Sequence, residues 1–265
     1  MTRRLAAAIG VVLLVAGCGG SDNSAEKDVS AYIQDVNSIQ HGLSLPLGQV
    51  ALGYRQLATG SDLPAMQPKL AKSALTIRKL ERRVDALDPP PEAIRLDATI
   101  RRLVHGESQL AEELALLAAY VHDAAPVLAR ATAAGKSLHD ALSAPRTRAA
   151  QATALEAYAA PLDTAAKQLA KLEAPPVVAP SQRTQIQTYR LIAARARALA
   201  SALRDGKSGA QQVHDLQLAV ATSASTQAQK ARIAAIKAFN RRTAKLRGLE
   251  ADAQRERNRL ERILS

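Results

Sequence analysis

The chain has 265 residues, with 36 Lys and Arg against 24 Asp and Glu, a formal net charge of +12, one Phe and no Trp. That length is ample for a hydrophobic core, in one elongated domain or two small ones. Ala and Leu dominate while β-branched and aromatic runs are rare, which argues against a strand-rich fold and a large aromatic-lined pocket and predicts an all-helical protein.

At the N-terminus Arg3 and Arg4 precede an apolar run from Leu5 to Val15 that small residues close, the layout of a secretory signal. A membrane-spanning helix needs about 20 apolar residues, so this run is too short to cross a bilayer. It ends in Val15-Ala16-Gly17-Cys18: an aliphatic residue, two small ones and a cysteine. The pattern resembles the lipobox of bacterial lipoprotein precursors, with Val15 where Leu is commoner. The resemblance implies that residues 1–17 are a signal peptide, that cleavage falls between Gly17 and Cys18, and that the Cys18 thiol carries diacylglycerol. Each buried CH₂ contributes roughly 0.8 kcal/mol, so two acyl chains anchor firmly where one holds only marginally. Cys18 is the only cysteine, so no intramolecular disulfide can form. Residues 18–28 are polar with Gly and Ser and read as a lipidated flexible tether, and 29–265 read as one helical bundle domain.

The first helix is expected from Val29 to Thr59, ended by Gly60 and kinked or split by Pro46. Ser61-Asp62-Leu63-Pro64 has the residues of a cap with proline in the first turn. Leu63, Met66, Leu70, Ile77, Leu80, Val84 and Leu87 then trace an amphipathic helix that stops at Asp88-Pro89-Pro90-Pro91. Leu96, Ile100, Leu103, Glu107, Leu110, Leu114, Leu117 and Val121 alternate steps of four and three, the heptad spacing of packed helices. Pro126 and Gly135 mark a separate, weaker helix to Leu142, and Ser143-Ala144-Pro145 breaks the chain. Leu155, Tyr158, Leu162, Ala165, Leu169 and Leu172 define the next helix, closed by Pro175-Pro176. Another runs from Ser181 to Arg204, ended by the Gly206–Gly209 turn, and a long last helix extends from Ala210 nearly to the C-terminus.

These pieces predict an elongated all-α bundle of six to seven helices. Val84, Leu87, Pro90, Pro91 and Leu114 match Leu169, Leu172, Pro175, Pro176 and Leu199 at one offset of 85 residues. A duplicated helical hairpin with proline-rich corners is expected near 62–122 and 147–205.

Motifs for catalysis are lacking. Glu107 interrupts an apolar stripe, where a lone carboxylate more often pairs with a base or sets register than acts as an acid. His122-Asp123, His139-Asp140 and His214-Asp215 are sequence neighbours, which point about 100° apart on a helix and make no joint site. No Glu-x-x-His or His-Glu-x-x-His metal motif occurs, and Gly206-Lys207-Ser208-Gly209 lacks the rest of a phosphate-binding loop. No metal, no cofactor and no enzyme activity are expected.

The last helix carries the strongest remaining signal. No acidic residue lies between Asp215 and Glu250, and Lys230, Lys237, Arg241 and Lys245 share a stripe opposite Ile236, Phe239, Thr243 and Leu246. Asp252 with Arg255, Glu256 with Arg259 and Arg257 with Glu261 are spaced for intrahelical ion pairs. The proline-separated Ala-rich hairpins and the ends Phe239–Leu246 and Glu256–Arg262 resemble poorly characterised helical lipoproteins of high-GC Gram-positive bacteria, a resemblance that implies no known activity. The reading is a lipid-anchored extracytoplasmic protein held at the cell membrane, a binding or scaffolding module for an envelope protein or an anionic lipid or polymer and not for nucleic acid. The alternative is a lipoprotein that holds a small hydrophobic ligand between its helices.

Overall fold

The computed structural model describes residues 24–59, 62–143, 147–206 and 210–264, and among these it contains six α-helices and no strand. They are α1 (Ser24–Thr59), α2 (Gln67–Asp85), α3 (Ile94–Ser143), α4 (Arg148–Leu169), α5 (Ala179–Arg204) and α6 (Ala210–Leu264), with 3₁₀ turns at Pro64–Met66 and Pro91–Ala93. The expected all-α architecture is what the chain adopts. The signal run, Gly17, Cys18, Gly60, the 144–145 break and the 207–209 turn lie outside the described residues.

Two possible breaks do not occur: α1 is not split at Pro46, and no separate helix begins at Pro126. Val29, Tyr32, Val36, Ile39, Leu43, Pro46, Val50, Gly53 and Leu57 are buried at alternating steps of three and four, so Pro46 is a core position of one continuous α1. Packing of that whole stripe outweighs the single backbone hydrogen bond that a proline removes. Pro126 likewise sits inside α3, which runs unbroken to Ser143 through Gly135. Pro126 and His122 are exposed, so water can satisfy the carbonyl that the proline leaves without a donor. At the N-terminus α1 begins at Ser24, so residues 24–28 of the expected tether are helical.

The single domain expected over 29–265 divides into two compact units. Among the described residues, unit 1 comprises 24–59, 62–118 and 237–264, and unit 2 comprises 119–143, 147–206 and 210–236. In unit 1 the first part of α3 packs with α1, α2 and the last part of α6. Gly53 of α1 admits Leu70 of α2 and Leu114 of α3. Gly106 of α3 admits Leu246 of α6, and Tyr54 of α1 meets Phe239 of α6 with ring centroids 6.3 Å apart. Arg257 is attracted by Glu261, as its spacing within α6 suggests, while its hydrogen bonds reach α1, donating to Asn37 Oδ1 at 3.2 Å and Gln40 Oε1 at 2.9 Å. Its place on the buried side of α6, between Ala253 and Leu260, directs it inward. The expected pairs Asp252–Arg255 and Glu256–Arg259 do form.

The proline corner after α2 is fastened from α3. Arg101 donates to the Asp85 and Leu87 carbonyls, both at 2.8 Å, and to Asp97 Oδ2 at 2.6 Å. A cation at a helix C-terminus meets its carbonyls where the helix dipole is negative. Asp97 is buried and also accepts from Tyr32 Oη at 3.1 Å. Burial, reinforced by Asp97, pushes the Tyr32 hydroxyl up, so it stays a donor.

In unit 2, α4 and α5 form an antiparallel hairpin whose Ala- and Leu-rich core includes Ala124, Val127, Ala131 and Leu138 of α3. Here Gln182 donates to the Leu169 and Leu172 carbonyls, at 2.8 and 2.9 Å. Positions related by the 85-residue offset share local structure. The amides of Ala93 and Val178 donate to Pro90 and Pro175, and those of Leu87 and Leu172 donate to Val84 and Leu169. All six buried positions of α2 are buried again at that offset in α4. The pair Arg78–Glu112 recurs as Asp163–Arg197 with its charges exchanged.

Candidate functional site

Two features stand out: a cationic face on α6 and a buried carboxyl on α3. On α6, apolar residues at steps of four and seven are buried: Ala235, Phe239, Leu246, Ala253 and Leu260. That turns Lys237, Arg241 and Lys245 outward, and all three are exposed. Each is one turn from the next, so the three span roughly 12 Å at 1.5 Å per residue. Among the described residues none of them has an ion-pair or hydrogen-bond partner. Lys230, the fourth member of the stripe, is exposed too, but it falls in unit 2. Arg242, on the flank of the same helix, is tied to Glu113 of α3 at 2.6 Å. The three exposed cations are therefore surplus to the packing of α6.

Glu107 is 8 % exposed, and its Oε2 is buried without a hydrogen-bond partner. Of the two structural roles expected of it, pairing with a basic side chain or setting register, the first is not found among the described residues. Burial, and then the nearby Glu250 of α6, pushes its carboxyl up to about 8. Burial raises Glu250 as well, opposed by Arg247. A carboxyl in this setting is a neutral acid at pH 7. The residue 85 positions later is Ile192, buried at the corresponding place in α5, so the helix pairing itself is satisfied by a hydrocarbon there. No group of three or more His, Cys, Asp or Glu residues that could hold a metal occurs among the described residues.

His41, His122 and His139 are exposed, and His105 is bridged as well as exposed. His105 Nδ1 lies 2.6 Å from Glu81 Oε1 of α2, and its Nε2 lies 2.8 Å from Gln109. That bridge pairs residues 24 apart in sequence, and no local motif could announce it.

A second cationic face was missed in the sequence. On α2, Lys69, Lys72, Lys79 and Arg83 are exposed and fall within an arc of about 80° at 100° per residue. Its signal was present as steps of three, seven and four, hidden beside the apolar stripe that defines the helix.

No family model matches the chain, and neither a curated protein nor a solved structure is significantly similar to it.

Proposed function

We propose that this chain is a lipid-anchored extracytoplasmic helical protein, held at the membrane through Cys18, that serves as a binding or scaffolding module at the cell envelope. The Val15–Cys18 pattern after a short apolar run supports the location. The observation that carries the binding role is the outward row Lys237, Arg241 and Lys245, which has no acidic partner among the described residues and leaves the packed side of α6 intact. Cations spaced one turn apart along a helix suit a linear polyanion with regularly placed phosphates. An anionic polymer of the envelope is the partner class this row fits.

The location is tested by metabolic labelling with an alkyne fatty acid. The parent takes up label and fractionates with membranes, while Cys18→Ser does neither; equal behaviour of the two removes the anchor. The polymer reading is tested by titrating inorganic polyphosphate at several salt concentrations. For Lys237→Gln/Arg241→Gln/Lys245→Gln the slope of log K against log salt falls by about two relative to the parent. An unchanged slope, or loss of vesicle binding by this variant instead, refutes the polymer as partner.

A further inference from the structure

The outward face of α2 carries charge that its fold does not need. At the offset of 85 residues, Lys69, Lys72, Lys79 and Arg83 are replaced by Ala154, Ala157, Thr164 and Gln168 of α4. The helix α2 holds six basic and two acidic residues, whereas α4 holds two of each. Both helices bury the same six positions, so the cations contribute nothing that the hairpin requires for packing.

Beside this face stand two exposed leucines, Leu75 of α2 at 60 % exposure and Leu116 of α3 at 55 %. The Arg78–Glu112 ion pair fixes their neighbourhood. Leu75 is one turn before Arg78 and Leu116 one turn after Glu112, on antiparallel helices, so both lie to the same side of that pair. The corresponding residues beside Asp163–Arg197 are Ala160 and Ser201, also exposed and neither of them large and apolar. Cations and solvated leucines thus occur together on one face and are absent together from its counterpart.

We propose that the α2–α3 face of unit 1 is a docking surface for an anionic lipid bilayer. Lys69, Lys72, Lys79 and Arg83 contact head groups while Leu75 and Leu116 enter the interfacial region. Lysine stems are long enough to bring their ammonium groups to phosphates while the shorter leucines sink between them. Charge complementarity selects the partner, and the leucines select a bilayer over a soluble polyanion, which offers them nothing apolar. This inference rests on the placement of the chain at a membrane. It does not rest on acylation of Cys18, so the two can fail separately.

The test uses the chain from Gly19 onward, which keeps every described residue and lacks the thiol. It is sedimented with vesicles of equimolar phosphatidylglycerol and phosphatidylcholine, and with phosphatidylcholine alone. Binding is expected to the anionic vesicles only. Each cation at such a surface is worth about a fivefold gain in partitioning, so Lys72→Gln/Lys79→Gln weakens it about 25-fold. Leu75→Ser/Leu116→Ser weakens it about tenfold, and the loss persists at high salt, where the charged component is screened. The α6 variant Lys237→Gln/Arg241→Gln binds like the parent. All of these substitutions are at exposed positions, and circular dichroism verifies that each variant retains its helices. Equal binding to neutral and anionic vesicles overturns the proposal. So does an α2 variant that binds like the parent, or a leucine variant that binds normally while polyphosphate competes fully with vesicles. The last outcome assigns the face to a polymer.

Discussion

Replacing Glu107 by isoleucine, the residue found at the corresponding position 192, should stabilise unit 1 and remove a pH dependence from it. The folded carboxyl titrates at about 8 against an ordinary 4.5, because burial and then Glu250 disfavour its charge. The native state therefore holds one proton more than the unfolded chain between those values. Stability falls as pH rises through that window and levels off above it. At 1.36 kcal/mol per unit the loss is on the order of 3 kcal/mol at pH 7 and approaches about 5 kcal/mol above pH 8. Isoleucine is larger than glutamate by about one methylene, so mild overpacking offsets part of the gain. Thermal melts followed by circular dichroism from pH 5 to pH 9 read this out. The Glu107→Ile midpoint exceeds the parent's by about 10 °C at neutral pH, and the gap closes toward pH 5. Glu107→Gln, a mimic of the neutral acid, follows the same trend. In Glu250→Gln the Glu107 carboxyl titrates lower, so less stability is lost as pH rises. Parallel curves for parent and isoleucine variant across the pH range, or a less stable variant at every pH, refute the reasoning.

Glycines on α1 give opposite signs. A Cβ at Gly48 meets nothing within 4 Å, so Gly48→Ala gains up to about 1 kcal/mol of helix propensity. At Gly53 it would lie 2.8 Å from Leu70 and 3.1 Å from Leu114, so Gly53→Ala loses about 1–3 kcal/mol by overpacking; denaturant melts of the two variants compare them. Arg101→Ala frees the Asp85 and Leu87 carbonyls and leaves the buried Asp97 with Tyr32 alone, at a cost of about 2–4 kcal/mol, and Tyr32→Phe costs about 1–2 kcal/mol, both measured by urea unfolding. Reversing Arg78 and Glu112 together reproduces the arrangement of Asp163 and Arg197. A double-mutant cycle should return a coupling of about 0.2–1 kcal/mol, with the double exchange recovering what each single reversal loses.

The candidate site was legible where it depends on periodicity. Lys237, Arg241 and Lys245 face outward because Phe239 and Leu246 face inward, and a spacing of three and four residues states both at once. Glu107 was legible as an anomaly in its stripe, but the absence of a basic neighbour and the approach of Glu250 depend on how α6 meets α3. The α2 face was overlooked because a cationic row means little until its exposure and the uncharged row of α4 stand beside it. Pro46 was misjudged for the opposite reason. Local chemistry treats proline as a break, yet its place in the buried stripe makes it a core residue of a helix that neighbours hold together.

Sequence alone determined that this is a helical protein, most of the packed stripes of α2, α3 and α4, and where the proline corners fall. Those properties follow from propensity and spacing, which act over one or two turns. Tertiary structure alone decided that α1 and α3 run unbroken through their prolines, that the chain divides into two units, and that Arg101 and Gln182 fasten the two corners. Each of these depends on contacts between residues brought together by folding, and such contacts leave no periodic trace along the chain.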